Sequence, residues 1–203
     1  GMYLSEHPLK KYEFEIENFT TCGLADLDNL VNECEKARKP QKVNVAGFIT
    51  GIETKTSMSG RPYARVTLED FSGVYELSLF GKDYEANMSY LVDHTSIYIE
   101  GDIKESYFVK PEDKEKAATV PYKFKIKKIS LLGNLSDSML SGFAIEVNTT
   151  MLNPVFRKDL MNVVKKSKGK IPLSIFLVDP KTQYQLEFLS KKFQVAVTAD
   201  FIS

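Results

Sequence analysis

Between residues 43 and 80, apolar side chains recur at every second position in three consecutive runs. Because successive side chains of a β-strand point to opposite faces, this period predicts three half-buried strands joined as a meander. Gly60 and the run Asp-Phe-Ser-Gly at 70–73 predict the two connecting turns. The alternating residues are Val43, Val45, Gly47 and Ile49, then Ala64, Val66 and Leu68, then Tyr75, Leu77 and Leu79.

A helix is predicted directly after the third run, at 82–91, where Tyr84, Met88 and Leu91 fall near one face. Two more alternating runs follow, at 97–103 and 122–132, and a charged loop separates them. Three meander strands, a helix and two further strands are the element order of a five-stranded Greek-key barrel of the OB type. The helix between the third and fourth strands is the diagnostic feature, because other small β-barrels usually lack it.

Residues 1–41 show little β pattern and are predicted to form a connector that precedes the barrel. Leu27, Leu30, Val31 and Cys34 recur at helical spacing, which predicts a short amphipathic helix near 25–37. Pro40 disfavours helix in the residue before it and is expected to end this segment.

Residues 134–203 predict a small α+β domain with the element order β-α-β-β-β. Asn153 is a typical N-cap before Pro154, and Gly169 is expected to end the helix after three lysines. The predicted strands lie at 143–147, 171–178, 183–189 and 193–197. The fold class is therefore mainly β with α+β, and the predicted domains are 1–41, 42–133 and 134–203.

The charge balance limits what the chain can bind alone. It carries 27 basic and 27 acidic residues, so the net charge is zero. Autonomous tight DNA binders are usually basic, because phosphate contacts and counterion release supply most of their affinity. We therefore expect weak nucleic-acid binding by this chain in isolation. The sequence has no apolar run of about 20 residues, so we expect no membrane partner.

The sequence does not indicate catalysis. Phosphate-loop, dinucleotide and zinc-protease motifs are absent, and the two cysteines lack metal-ligand spacing, which favours a reducing compartment. His7 and His94 lie outside the predicted strands and are interpreted as structural or loop residues. Glu69 and Asp70 are neighbours on a strand and point to opposite faces, and Asp70 is expected to stabilise the following turn. We predict no catalytic residue, metal or cofactor, and no enzyme activity.

The predicted barrel has a candidate nucleic-acid-binding face. OB barrels bind oligonucleotides across strands two and three, with help from the loops that join strands one to two and four to five. Aromatic rings stack on bases, while arginine and lysine neutralise phosphates. The predicted binding residues are Phe48, Lys55, Arg61, Tyr63, Arg65, Phe80, Lys82 and Lys110.

The alternative is a solvated sheet whose aromatic rings are partly buried against neighbouring segments. Glu69 and Glu76 share the predicted face, and further acidic residues share the second loop with Lys110. The alternating lysines of the fifth strand are interpreted as promoting solubility rather than binding. They are Lys123, Lys125 and Lys127.

Several segments resemble the bacterial DNA polymerase III alpha subunit. The run Y-L-S-E-H-P-L at 3–9 resembles the Y-L-S-x-H-P-L segment that precedes the OB domain of that family, although Glu6 stands where the family often has Gly. The stretches 45–50, 67–73 and 75–84 resemble the first strands of that domain, in the family's order. The resemblance covers roughly 3–133, and residues 134–203 occupy the position of the family's C-terminal domain.

The resemblance implies a division of labour. In that family the nucleotidyl-transfer carboxylates lie far upstream, in parts that this chain lacks. The OB domain is associated with single-stranded template, and the C-terminal domain docks the clamp-loader tau subunit. We therefore expect a non-catalytic, cytoplasmic, nucleoid-associated fragment that binds single-stranded DNA weakly and contacts tau and other replisome proteins through 134–203.

Two other functions are also consistent with the sequence. The chain could be a protein-interaction module only, in which 134–203 docks the partner and the barrel is a spacer. It could also be an anticodon-binding OB domain of a tRNA synthetase. That family places its catalytic domain directly after the barrel, and 134–203 is too short for one.

Overall fold

The computed structural model describes residues 7–58, 60–106 and 120–202. The chain divides into two compact units, Gly1–Gly133 and Asn134–Ser203. In the described part of the chain, no helix is both long and apolar enough to cross a membrane.

The first unit contains the predicted five-stranded antiparallel sheet, with strand order β3-β2-β1-β4-β5. β1 is long because it pairs with β4 through its first half and with β2 through its second half, with a register shift between Ile49 and Gly51. This shared strand lets a single sheet curl into the barrel. The strands are β1 Gln41–Thr56, β2 Pro62–Glu69, β3 Val74–Phe80, β4 Ser96–Glu105 and β5 Tyr122–Leu131.

The interior of the barrel is formed by the residues that the alternation predicted. Their burial confirms that the two-residue alternation identified the inner face of each strand correctly. A shift of one residue along a strand would have placed these side chains on the outer face. The core includes Val43, Val45, Ile49, Ala64, Val66, Leu68, Leu77, Leu79, Ile97, Ile99, Ile103 and Ile129.

The N-terminal segment is part of this unit. It forms α1 Glu13–Phe19 and α2 Leu27–Ala37, each preceded by a short 3-10 helix, Lys10–Tyr12 and Leu24–Asp26. The apolar stripe of α2 points inward, and Leu24, Leu27 and Cys34 belong to the barrel core. The segment predicted as a connector is therefore packed on the barrel.

A helix joins β3 to β4, as the OB order requires. α3 spans Lys82–Asn87 and continues as a 3-10 helix, Met88–Tyr90. The α-helix is therefore about one turn shorter than the helix predicted at 82–91. Buried Asn87 fixes its position, because its side chain donates to the carbonyl of Asp83 (2.8 Å) and accepts from the amide of Ile129 (3.2 Å).

The second unit has a three-stranded sheet with the order β6-β7-β8. β6 and β7 are parallel and α5 connects them, as a parallel pair requires a crossover, while β7 and β8 form an antiparallel hairpin. Asn153 caps α5 as predicted, since its side chain accepts from the amides of Val155 and Phe156. The elements are α4 Leu135–Met139, β6 Phe143–Asn148, α5 Pro154–Lys166, β7 Lys168–Val178, β8 Gln185–Val195 and α6 Ala199–Ile202.

Two predictions for this unit are wrong. Gly169 does not end the helix, because α5 ends at Lys166 and Gly169 already lies in β7. The strands predicted at 183–189 and 193–197 are one strand, β8, whose pairing with β7 shifts register. The amide of Phe193 donates to the hydroxyl of Ser190 (2.9 Å) in the irregular stretch, which interrupted the alternation in the sequence without ending the strand.

Candidate nucleic-acid interface

The outer face of β1, β2 and β3 consists of four cross-strand rows of side chains, which the register fixes. The inner positions of these strands are buried, so the alternate positions face outward. From one end of the sheet to the other, row 1 is Lys55–Tyr63–Phe80, row 2 is Glu53–Arg65–Ser78, row 3 is Gly51–Thr67–Glu76 and row 4 is Phe48–Glu69–Val74.

Row 1 carries an aromatic platform. The rings of Tyr63 and Phe80 stack with 4.9 Å between centroids and an angle of 21°. Phe80 is 56% exposed, so one face of this pair is open to solvent. Two predicted cations flank the row in the sequence, since Arg61 precedes β2 and Lys82 begins α3. The structure thus brings Lys55, Arg61, Tyr63, Phe80 and Lys82 to one end of the sheet.

Ion pairs distinguish the cations of this face. Lys55 Nζ lies 2.6 Å from Glu53 Oε2, and this hydrogen bond holds the pKa of the Glu53 carboxyl below its ordinary value. Arg65 Nε lies 3.9 Å from Glu76 Oε1. Arg61 and Lys82 are exposed and form no ion pair with any residue in the described ranges. The uncompensated positive charge is therefore at row 1.

Phe48 lies on the predicted face but at its opposite end. Along β2, the Glu69 position that pairs with Phe48 is six residues from Tyr63, or roughly 20 Å. The Phe48 ring contacts His94 instead, with 5.8 Å between centroids. Phe48 and Tyr63 do not form one contiguous surface, and predicted Lys110 lies outside the described residues.

A cleft that the sequence did not reveal continues from row 1. It has a volume of about 790 Å³ and lies between β3 and β5. Lys123 and Lys125 line it, a position that their alternation in the sequence does not indicate. Lys127 differs from them, because it donates to Asp102 Oδ1 (2.7 Å) and thereby lowers the pKa of that carboxyl.

A sequence signal for this difference was present. Gly101 lies opposite the stretch Ile126–Lys128, where the pairing of β4 and β5 shifts register. A glycine within a strand pattern is typical of such a bulge. Lys127 is therefore the residue of β5 without a partner on β4 at the bulge, and its side chain reaches Asp102, whereas Lys123 and Lys125 line the cleft.

Asp70, directly after β2, has a structural role. Asp70 accepts from the amides of Ser72 (2.8 Å) and Gly73 (3.0 Å), which confirms the predicted turn. It also accepts from the amide of Leu24 (2.8 Å) and so ties the N-terminal segment to the barrel. Across the part of the chain that the structure describes, no group of three potential metal ligands is close enough to hold an ion.

The second unit presents an apolar groove of about 940 Å³ between α5 and the sheet. Exposed Phe188 of β8 lies on its sheet side, and three cations of α5 border it. The apolar lining includes Leu152, Phe156, Leu160, Met161, Ile175 and Leu177, and the cations are Arg157, Lys158 and Lys165.

Comparison with known proteins first gives the class of the barrel. Residues 43–132 match the family model described as an OB-fold nucleic acid binding domain. Solved structures that match part of this chain include the mitochondrial single-stranded DNA binding protein Rim1 of S. cerevisiae, at 18% identity and a TM-score of 0.30, over 45% of this chain and 95% of that chain. A small single-stranded DNA-binding protein from Streptomyces coelicolor matches at 12% identity and a TM-score of 0.26, over 46% and 93%.

The same comparison gives the relatives of the whole chain. Residues 143–203 match the model of the DNA polymerase III alpha subunit, C-terminal domain. Curated alpha subunits match at 28% identity over 95% of this chain (Saccharopolyspora erythraea), 25% over 89% (Haemophilus influenzae) and 35% over 47% (Deinococcus radiodurans). They confirm the resemblance to the OB and C-terminal region of the DNA polymerase III alpha subunit. The chain spans 15%, 14% and 7% of the lengths of these three relatives.

Proposed function

We propose that this chain binds single-stranded DNA through row 1, as the template-binding OB domain of a replicative DNA polymerase III alpha subunit. The observation that carries the proposal is the exposed Tyr63–Phe80 stack with the uncompensated cations Arg61 and Lys82 beside it. The match of residues 43–132 to a nucleic-acid-binding OB model supports it. Nucleotidyl transfer would belong to other parts of the parent polymerase, which acts in the bacterial cytoplasm at the nucleoid.

The chemistry of row 1 suits an unpaired strand. A base can stack on the open face of Phe80, because every base has a flat π surface whatever its sequence. Arg61 and Lys82 can neutralise the flanking phosphates, and Lys55 can exchange its exposed partner Glu53 for a phosphate oxygen. With a net charge of zero, the chain would bind weakly alone and would depend on the rest of the replisome for a high effective concentration on DNA.

Replacing Phe80 with alanine is expected to weaken binding of labelled oligo-dT about 10-fold, because stacking contributes about 1–3 kcal/mol per base. Val74→Ala is the matched control, since Val74 is also exposed on the outer face of β3 but lies in row 4. Fluorescence anisotropy at low salt measures both dissociation constants. Equal affinity of the two variants would show that row 1 does not hold the strand.

We further propose that the groove of the second unit docks a protein segment, and that this segment belongs to the clamp-loader tau subunit. The supporting observation is apolar surface left open beside α5, including Phe188 at 52% exposed and Met161. The cations Arg157, Lys158 and Lys165 favour a segment that carries acidic residues. In the alternative function, this docking is the chain's only activity and the barrel is a spacer.

Phe188→Asp is expected to weaken tau binding at least 10-fold, because a carboxylate would then face the apolar groove. Leu189→Asp is the matched control, since the adjacent side chain is similarly exposed on the opposite face of β8. Titration calorimetry with the tau subunit measures the affinity. A loss that is equal in both variants would place the docking surface elsewhere.

A further inference from the structure

The barrel has an opening between its two edge strands. In the order β3-β2-β1-β4-β5, each of the outer strands has one neighbour, and no backbone ladder joins β3 to β5 among the described residues. The cleft of about 790 Å³ occupies this opening, beside Phe80 of row 1. Its volume is within the range of roughly 300–1,000 Å³ that small-molecule sites occupy.

The lining of this cleft combines an apolar floor with a basic rim. Leu77 is buried and the side chains of Phe124 and Ile126 are half-buried, so the floor is apolar and partly aromatic. Three cations and one carboxylate lie around it, which gives a formal charge of +2 (three positive minus one negative). The charged residues are Arg61, Lys123, Lys125 and Asp83.

The cations at this rim differ from the other lysines of β4 and β5. Lys104 and Lys127 both lie within 3.5 Å of the Asp102 carboxylate, and Lys128 lies 3.9 Å from Glu100. Lys123 and Lys125 form no ion pair with a residue that the structure describes. Their charge is therefore available to an anion in the cleft.

Rows 2 to 4 are a poor path for a polyanion. Glu53, Glu76 and Glu69 are distributed along them, and the one cation there, Arg65, is paired with Glu76. Beyond row 1, a strand stacked on Phe80 would meet further unpaired cations, Lys123 and Lys125, by turning toward β5. The cleft begins where that turn would lead, since Phe80 belongs to both row 1 and the cleft.

We propose that the β3–β5 cleft binds one nucleotide of the single strand, with its base on the apolar floor and its phosphates at Lys123, Lys125 and Arg61. The strand then leaves row 1 through the cleft instead of following the β2–β3 face. This inference rests on the proposed single-stranded DNA binding. The open edges of β3 and β5 could also pair with a peptide strand, but such an occupant would not require a rim of three cations.

The test compares two double variants with the same change in charge. Lys123→Gln/Lys125→Gln removes the rim lysines, and Lys104→Gln/Lys128→Gln removes two exposed lysines that are already paired. Both are titrated with oligo-dT of 4, 8 and 12 nucleotides (~4–16 nucleotides cover an OB fold) at several salt concentrations. Circular dichroism confirms that each variant is folded.

The rim variant is expected to bind the 12-mer about 10-fold more weakly than the wild type. The slope of its log affinity against log salt concentration should be smaller by about 1.4, since each of the two lost phosphate contacts on a single strand contributes about 0.7. The rim variant should lose less affinity for the 4-mer, because stacking on Phe80 alone can hold an oligonucleotide of that length. The control variant should match the wild type.

The outcomes separate the two proposals. If the rim variant binds all oligonucleotides like the control while Phe80→Ala remains weak, the cleft proposal is overturned and the row 1 proposal stands. A uniform loss at every length in the rim variant also overturns the cleft proposal, because it would indicate general electrostatics rather than an added nucleotide site. If the wild type binds no oligonucleotide, both proposals fail.

Discussion

Gly169→Ala is expected to destabilise the second unit by about 4 kcal/mol or more, an effect that only a few mechanisms produce. A Cβ atom at position 169 would overlap the backbone of Val195 and Ala196. The obstacle is backbone rather than a flexible side chain, so relief would require separating the start of β7 from the end of β8. The main-chain bond from the amide of Ala196 to the carbonyl of Ser167 (2.8 Å) would break as well.

Gly142→Ala is the matched control, because the nearest atom to its Cβ would be the Pro172 carbonyl oxygen at 3.7 Å, an ordinary contact. Hydrogen exchange measured residue by residue resolves the effect. In Gly169→Ala the amides of β7 and β8 should lose protection, whereas in Gly142→Ala they should keep it. If the β7 amides of Gly169→Ala kept the hydrogen-exchange protection of the wild type, that result would contradict the close approach of β7 and β8.

The wrong prediction that Gly169 ends α5 shows that a local sequence pattern does not record contacts between distant segments. Three lysines and a glycine after an apolar stripe are typical of a helix C-terminus, and the helix does end nearby, at Lys166. The reason for the glycine is the approach of Val195 at the end of β8, which is more than twenty residues away in the chain. Local spacing carries no information on such a contact, so the sequence pattern points to Gly169 but not to its contact with β8.

The barrel was predictable because its strands each bury one face. The alternation of apolar residues then determines which side chains point into the barrel core, and Val66 and Leu68 are buried there as predicted. The candidate interface was predictable only as a face. Where each residue falls along that face depends on strand register, which places Phe48 opposite Glu69, six residues along β2 from Tyr63.

Tyr98 is a second position where the pattern failed, and it reveals how the N-terminal segment is held. Ile97, Tyr98 and Ile99 are all fully buried, although alternation on β4 predicts that the middle one faces solvent. The Tyr98 hydroxyl donates to the carbonyl of Phe19 at the end of α1 (3.0 Å). Burial raises the pKa of the Tyr98 phenol, so the hydroxyl keeps its proton as a donor.

Tyr98→Ala is accordingly expected to destabilise the first unit by about 3–5 kcal/mol, the usual cost of removing a large buried ring. Tyr98→Phe should cost about 1–2 kcal/mol, because it keeps the ring but leaves the Phe19 carbonyl without its donor. Urea denaturation followed by circular dichroism measures both, and Tyr184→Ala, at a position 78% exposed, should leave the first unit unchanged.

The two Tyr98 variants also distinguish a connector from an integral part of the barrel. If residues 9–37 were only a connector, Tyr98→Ala would change the stability of the barrel no more than a surface substitution does. Removing the N-terminal segment would then leave the barrel as stable as before. The buried ring, the bond to Phe19 and the bond from the Leu24 amide to Asp70 oppose this. The barrel that presents row 1 therefore depends on helices that precede it in the chain, and removing them should unfold it.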